Sequence, residues 1–148
     1  MQIHDLTHSS FKETLHMTIL VAYVSRPEGR AALDKAIEIS KERQEPLLIV
    51  NAGPGGQQED ASLVPAYEVE QIEEQIAAQG IQGEFKQFVR GKNAVDEIND
   101  LVETRDISIL IIGLRKRNAL GKLIMGSVAQ DILMTVPCPV LCVKAEGA

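Results

Sequence analysis

Short runs of apolar residues alternate with amphipathic segments along most of the chain. Five runs have the length and composition of buried strands, and they cover residues 18–24, 47–50, 85–89, 107–112 and 140–144. Between these runs, apolar residues recur every three or four positions, as on one face of a helix, within residues 27–45, 65–79, 93–102 and 128–136. The run at 107–112 is the most apolar, which favours a central strand, whereas the mixed run at 85–89 favours an edge.

Polar residues that are typical of helix starts precede three of the four helical segments. Asn93 is expected to cap the third helix, and Pro27 suits the first turn of the first helix, where its missing N–H costs nothing. Two further pairs have the spacing of a capping box, in which side chains bond the free backbone N–H groups: Ser25 with Glu28, and Ser127 with Gln130.

Strands that alternate with helices over short connections predict one α/β domain with a parallel sheet covered on both faces. Right-handed crossovers then give an open, doubly wound, five-stranded parallel sheet, for which we expect the strand order 3-2-1-4-5. In such sheets a ligand binds at the carboxyl ends of the strands, where the strand order reverses. We therefore expect a crevice between the first and fourth strands, with residues 23–26 and 113–116 as its lips.

Residues 113–127 reverse the charge of the chain at one of these lips. The net charge is −6, yet no acidic residue occurs from 113 to 130, and four cations lie there: Arg115, Lys116, Arg117 and Lys122. Gly126 and Ser127 follow at the expected start of the fourth helix, where backbone N–H groups and the helix dipole attract anions. The segment predicts a phosphate or other anion site, and a solvated basic turn is the alternative.

Composition removes several other classes of function. Aromatic residues make up 3% and Trp is absent, so base-stacking platforms for nucleic acid are not expected, and the acidic balance disfavours nucleic-acid and anionic-membrane binding. No apolar run approaches the ~20 residues of a membrane span, and we expect a cytoplasmic protein. All three histidines lie in residues 1–16, so a Ser-His-Asp or Cys-His arrangement is excluded from the rest of the chain, and no metal site is predicted.

The ends of the chain carry two further expectations. Residues 1–16 lack sustained periodicity and precede a possible natural start at Met17, so we interpret them as an extension and residues 17–146 as the domain. Cys138 and Cys142 are four residues apart, about 13 Å along a strand, which is too far for a disulfide. Both thiols are therefore expected to be buried and inert.

Three stretches of residues 17–145 resemble the universal stress protein family, whose fold is that of the adenine nucleotide alpha hydrolases. The opening ILVAYVSRPEGRAALDKAIEIS resembles the family's first strand and helix, and SVAQDILMTVPCPVLCVK resembles its last helix and strand. GLRKRNALGKLIMGS is similar to its glycine motif, Gly-x2-Gly-x9-Gly-Ser. The resemblance implies an ATP or AMP site between the first and fourth strands.

The motif carries over to this chain position by position. The phosphates of family members lie against residues that match Gly113, Gly126, Ser127 and Val128, beside the cations Arg115 and Lys116. At the first strand the nucleoside would meet Ala22, Tyr23 and Val24, and at the end of the second strand its base would meet the backbone of Ala52. Two departures stand out, because Lys116 replaces the second glycine of the motif and Val24 replaces an acidic residue near the adenosine.

Three functions fit these residues. The preferred one is a stress-response protein that binds an adenine nucleotide and is not an enzyme, although weak ATP hydrolysis stays open. The second is a nucleotide-free homodimer that associates through the C-terminal strand, residues 139–144, which would otherwise be an exposed edge. The third is a binder of another phosphorylated ligand at the basic loop.

Overall fold

Strands and helices alternate along the chain in the structure as the sequence predicts. The structure is a computed structural model that describes residues 17–52, 64–87, 93–116 and 122–145. Six strands are formed: β1 (Thr18–Tyr23), β2 (Leu47–Asn51), β3 (Gly83–Lys86), β4 (Ile107–Lys116), β5 (Leu123–Ile124) and β6 (Val140–Lys144). Four helices connect them: α1 (Pro27–Arg43), α2 (Ala66–Ala78), α3 (Ala94–Thr104) and α4 (Ser127–Thr135). No helix among the described residues has an apolar stretch of membrane-spanning length.

Five of the strands form one parallel sheet in the order β3-β2-β1-β4-β6, which confirms the predicted doubly wound architecture. β1 lies between β2 and β4, with Val21 opposite both Ile49 and Ile111. The sequence did not predict β5, a two-residue strand that runs antiparallel to the end of β4. It follows that residues 113–116, expected as a loop, extend β4 instead.

Two hydrophobic clusters hold the helices to the two faces of the sheet. Alternate β1 residues serve opposite faces: Ile19, Val21 and Tyr23 pack with α1 and α2, whereas Leu20 and Ala22 pack with α3 and α4. This follows from the two-residue period of a strand, and each fully buried aliphatic side chain contributes roughly 1.5–3 kcal/mol. β1 is consequently the axis of the molecule, and its carboxyl end opens onto the predicted crevice.

Element boundaries depart from the sequence expectations in two places. β3 begins at Gly83, two residues before the predicted run at 85–89, of which residues 88–89 lie outside the described part. Asn93 caps α3 as predicted, accepting from the N–H of Asp96 at 2.9 Å, and Pro27 is the first residue of α1. The Ser25 capping box is wrong, because Arg26 is the N-cap of α1 and provides no side-chain hydrogen bond.

Candidate functional site

The lips of the predicted crevice are the carboxyl ends of β1 and β4, and the first turn of α1 lies directly on both of them. A Cβ atom at Gly29 would lie 1.8 Å from the carbonyl oxygen of Val24, and one at Gly113 would lie 1.9 Å from the carbonyl oxygen of Glu28. Real side chains do not approach a backbone oxygen so closely, so both glycines are required for this packing. Gly113, which the resemblance places against phosphates, therefore also has a structural role that involves no ligand.

After β4 the chain turns back and forms β5, in which Ile124 lies opposite Arg115. Gly126 and Ser127 follow two and three residues after Ile124. The described cations of this segment do not form one cluster. The alternation along β4 places Arg115 on the α1 face of the sheet with Gly113, whereas Lys122 is exposed and directly precedes β5. Arg117 and the side chain of Lys116 lie outside the described part of the structure.

The start of α4 differs from the predicted capping box. The N-cap is Gly126, with φ −64° and ψ 159°, and Ser127 is the first helical residue, so the Ser127 hydroxyl is not a cap and no side-chain cap is formed. The first intrahelical bond runs from the N–H of Gln130 to the carbonyl oxygen of Gly126 at 2.9 Å. The N–H groups of the first turn therefore lack intrahelical acceptors and point out of the helix start, where Ser127 is exposed.

Gly126 leaves this helix start open. A Cβ atom added there would meet no atom of the described residues within 4 Å, and the φ value is one that any residue adopts. The fold thus requires Gly113 but not Gly126, although both belong to the same glycine motif. The open N-terminus is suited to an anion, because the helix dipole and the free N–H groups act together there.

Ala22, Val24 and Ala52, which were expected at the crevice, belong to the hydrophobic cluster on the side of α3 and α4. Ala22 and Ala52 are buried, and Val24 is half-buried against the same cluster, in agreement with the packing role expected for it. The N–H of Ala52 donates to the carbonyl oxygen of Tyr23 at 2.7 Å. This bond continues the ladder between β1 and β2, so the carbonyl of Ala52 is the backbone group through which that residue could meet a base.

Tyr23 points to the opposite face and takes no part in the crevice with its side chain. The Tyr23 hydroxyl donates to Oε2 of Glu68 at 2.5 Å, and the Ser25 hydroxyl donates to Oε1 of the same carboxylate at 2.6 Å. The rings of Tyr23 and Phe85 pack edge to face, with their centroids 5.8 Å apart. Burial, followed by the neighbouring Glu68 carboxylate, raises the pKa of Tyr23 well above its usual range. The phenol is therefore neutral, and it joins the end of β1 to α2.

Two further polar contacts at the carboxyl edge were not predicted. Lys86, the last residue of β3, forms a 3.0 Å ion pair with the buried carboxylate of Glu97 on α3. Asn51, at the end of β2, donates to the side-chain oxygen of Gln87 at 2.9 Å. No local sequence pattern identifies either pair, because each joins residues that are 11 or more positions apart and meet only in the folded sheet.

A polar cavity of about 480 Å³ lies at the other edge of the sheet, away from the crevice. It is formed where α1 and α2 end, and its lining residues are Ser40, Lys41, Gln44, Glu45, Pro46, Gln79, Gly80, Ile81 and Gln82. Among the described residues no group of three or more His, Cys, Asp or Glu side chains could hold a metal ion. Cys138 and Cys142 are free, as predicted, but both are half-buried rather than buried, and burial raises their pKa values.

The fold and this site together define a class: a doubly wound α/β domain with an open helix N-terminus at the point where the strand order reverses. Residues 16–144 match the model of the universal stress protein family. A universal stress protein of Mycolicibacterium smegmatis is 40% identical over 129 residues, which cover 87% of this chain and 98% of that protein. The chain belongs to the universal stress protein family.

Solved structures agree with this assignment. The universal stress protein from Archaeoglobus fulgidus has a TM-score of 0.70 and 32% sequence identity, with 87% of this chain and 98% of that chain covered. A second structure of the universal stress protein from that organism, in complex with dAMP, has a TM-score of 0.64 and 27% identity over the same shares of the two chains. These neighbours have the predicted α/β fold.

Proposed function

We propose that the chain is a cytoplasmic stress-response protein that binds AMP or ATP in the crevice between β1 and β4. The observation that carries this proposal is the N-terminus of α4, which has no side-chain cap, is open at Gly126 and follows β5, the strand that pairs with the end of β4. The dAMP complex of the Archaeoglobus fulgidus protein supports an adenine nucleotide as the ligand.

The bound nucleotide would lie on the α3 and α4 side of the crevice. Its phosphates would accept from the N–H groups of the first turn of α4 and from the Ser127 hydroxyl, with Val128 beside them. The nucleoside would rest on Ala22 and Val24, and the base would reach the carbonyl of Ala52. Packing of α1 against Gly113 closes the opposite side, so a ligand enters from the carboxyl edge.

The proposed role is binding rather than turnover. Residues 17–148 contain no histidine, and residues 113–130 contain no carboxylate that would hold a metal ion beside the phosphates. The phenol of Tyr23, which could act as an acid or base, is engaged with Glu68 on the other face. We therefore expect nucleotide occupancy, not hydrolysis, to be the signal.

Nucleotide retained through purification tests this proposal directly. The full chain is denatured, the extract is separated by ion-exchange chromatography, and AMP and ATP are quantified per mole of protein. We expect up to one mole of adenine nucleotide per mole of protein. If the protein is isolated without nucleotide, we expect calorimetry to show saturable binding of added AMP. Absence of both, in protein with a cooperative unfolding transition, contradicts the proposal, whereas binding of inorganic phosphate alone favours another phosphorylated ligand at the basic loop.

A homodimer is the second candidate, and the open edge of β6 favours it. β6 pairs with β4 on one side, and no other described strand borders its second side. Four of its five residues are apolar side chains or thiols that remain half-buried. Sedimentation velocity at micromolar concentration is expected to give a dimer, and a monomer under those conditions contradicts this candidate without bearing on nucleotide binding.

A further inference from the structure

The first lip of the crevice, residues 23–26, continues beyond the paired part of β1. The ladder of β1 ends with Tyr23 on the side of β2 and with Val21 on the side of β4. Within the lip, the N–H of Arg26 donates to the carbonyl oxygen of Val24 at 2.8 Å, immediately before α1 begins. The position of the lip therefore depends on contacts outside the sheet ladder.

Glu68, in the first turn of α2, bonds the residues on both sides of Val24. One oxygen of its carboxylate accepts from the Tyr23 hydroxyl at 2.5 Å, and the other accepts from the Ser25 hydroxyl at 2.6 Å. Distances of about 2.5–2.7 Å are typical of a hydroxyl that donates to an ionised carboxylate, and such bonds are stronger than those between neutral groups. A single side chain of α2 thus bridges positions 23 and 25 of the lip.

The helix that carries Glu68 is itself held in place. Ile72 and Ile76, about one and two turns further along α2, are buried in the cluster on the α1 and α2 face. Val24, between the two bonded residues, packs with the opposite cluster, on the side of α3 and α4. The carboxylate therefore fixes the backbone on both sides of a residue that faces the proposed nucleotide.

We propose that Glu68 is a positioning residue for the nucleotide, because its carboxylate holds the first lip in the conformation that binds AMP. The inference rests on the nucleotide site of the proposed function and deepens it. Without the bridge the lip samples other conformations, and the measured Kd rises in inverse proportion to the fraction of molecules that is competent to bind. Loss of the bridge is expected to weaken the binding of AMP about three- to tenfold.

Isothermal titration of AMP into the full chain and its variants measures this effect. Glu68→Ala removes both bonds, and Ser25→Ala removes one of them at an exposed residue, where loss of folding is not expected. Both variants should bind AMP more weakly than the unsubstituted chain. The double variant should bind no more weakly than Glu68→Ala alone, since the serine acts through the carboxylate.

Two further variants separate positioning from a general loss of stability. Glu68→Gln is expected to restore most of the affinity, because its amide can still bond both hydroxyls. Gln75→Ala is the matched control, since it removes a 2.9 Å bond between α2 and Arg30 of α1 without touching the lip. Its Kd should stay within about twofold of that of the unsubstituted chain.

Tyrosine fluorescence reports the bridge independently of the nucleotide. The chain has two tyrosines and no tryptophan, so Tyr67→Phe leaves Tyr23 as the single strongly emitting residue. A carboxylate that accepts from a phenol quenches its emission, so Glu68→Ala in this background is expected to raise the emission of Tyr23. Unchanged emission shows that the bridge does not form in solution and overturns the inference.

The affinities decide the other outcomes. A Glu68→Ala variant that emits more strongly, unfolds cooperatively and keeps the original Kd overturns the positioning role and retains the nucleotide site. Equal weakening by Gln75→Ala overturns it as well, because the effect would then follow the packing of α2 in general. Losses that multiply in the double variant show that Ser25 acts separately and overturn the role of the carboxylate. A full chain that binds no AMP contradicts the proposed function and the positioning role with it, while the emission of Tyr23 reports whether the bridge itself exists.

Discussion

Replacing Gly126 by Asp is expected to stabilise the protein and to weaken its binding of AMP. The helix start at α4 has no side-chain cap, and the N-cap backbone already lies in the extended region that a capping residue adopts. A Cβ atom at this position meets no described atom within 4 Å, so we expect an Asp side chain to accept from the N–H groups of the first turn. Those N–H groups are the ones that the proposed phosphate uses, so the cap and the ligand compete.

The two effects have opposite signs and can be estimated. Asp exceeds Gly as an N-cap by a few tenths of a kcal/mol, and its charge at the positive end of the dipole adds about 0.3–1 kcal/mol. A gain of about 0.5–1 kcal/mol raises the melting temperature by roughly 1–4 °C for a chain of this size. Loss of one charged hydrogen bond to the phosphate costs about 1.5–3 kcal/mol, which is a tenfold to hundredfold weaker Kd.

Differential scanning calorimetry and isothermal titration with AMP measure the two effects on the same samples. Gly126→Asn is the matched variant that caps without charge, and we expect it to stabilise less and to weaken binding less. Gly126→Ala is the reverse control, because Ala is a poor N-cap: it should lower stability by about 0.5–1 kcal/mol and leave affinity nearly unchanged. An Asp variant with a raised melting temperature and an unchanged Kd would refute the placement of phosphate at α4.

Three other predictions follow from contacts outside the helix start. Gly113→Ala should lower the free energy of unfolding by about 3 kcal/mol or more in urea titrations, because its Cβ would overlap a carbonyl oxygen of α1, and a loss below 1 kcal/mol would contradict the contact. The pKa of Tyr23 is raised in the folded state, so the contribution of Tyr23 to the free energy of unfolding is complete below its unfolded-state pKa of about 10 and is lost as the pH rises further. Tyr23→Phe should therefore reduce the loss of stability at alkaline pH. An unchanged slope of the free energy of unfolding against pH would contradict this prediction. Lys86→Met should lower the free energy of unfolding more than Glu97→Gln, because the Glu97 carboxylate is buried whereas the Lys86 side chain is 37% exposed. Equal losses of this free energy in matched urea titrations would contradict the prediction.

The strand order and the two buried faces were predictable because they depend on the period of the apolar residues, to which every residue of an element contributes. The start of α1 was not predictable in the same way. Ser25 has the local signature of a cap, yet its hydroxyl bonds Glu68, 43 positions away, and the competition between the two partners is settled only in the folded chain. β5 was missed for a similar reason, because a two-residue strand has no period and exists only through its pairing with β4.

The glycine motif shows how far spacing alone can predict a site. Gly113 and Gly126 are equivalent as letters of the motif, but a Cβ would clash at the first and meet no described atom at the second. The distinction depends on the first turn of α1, which the sequence places more than 80 residues earlier. The position of Arg115 was likewise not evident from the sequence. Its charge belongs to the basic segment, but the alternation along β4 places its side chain on the α1 face of the sheet.

These facts make the crevice one-sided. The first turn of α1, resting on Gly113 and on the end of β1, fills the side where Tyr23 and Ser25 engage Glu68. On the remaining side, the small or aliphatic side chains at positions 22, 24 and 52 share a cluster with Val128 of the first turn of α4, and the proposed ligand would lie there. A ligand of the crevice therefore meets apolar carbon at one end and backbone N–H donors at the other. That polarity would suit the proposed ligand, a nucleoside joined to a phosphate. In an acidic protein the attraction for the phosphate would come from the helix start and would not need the net charge.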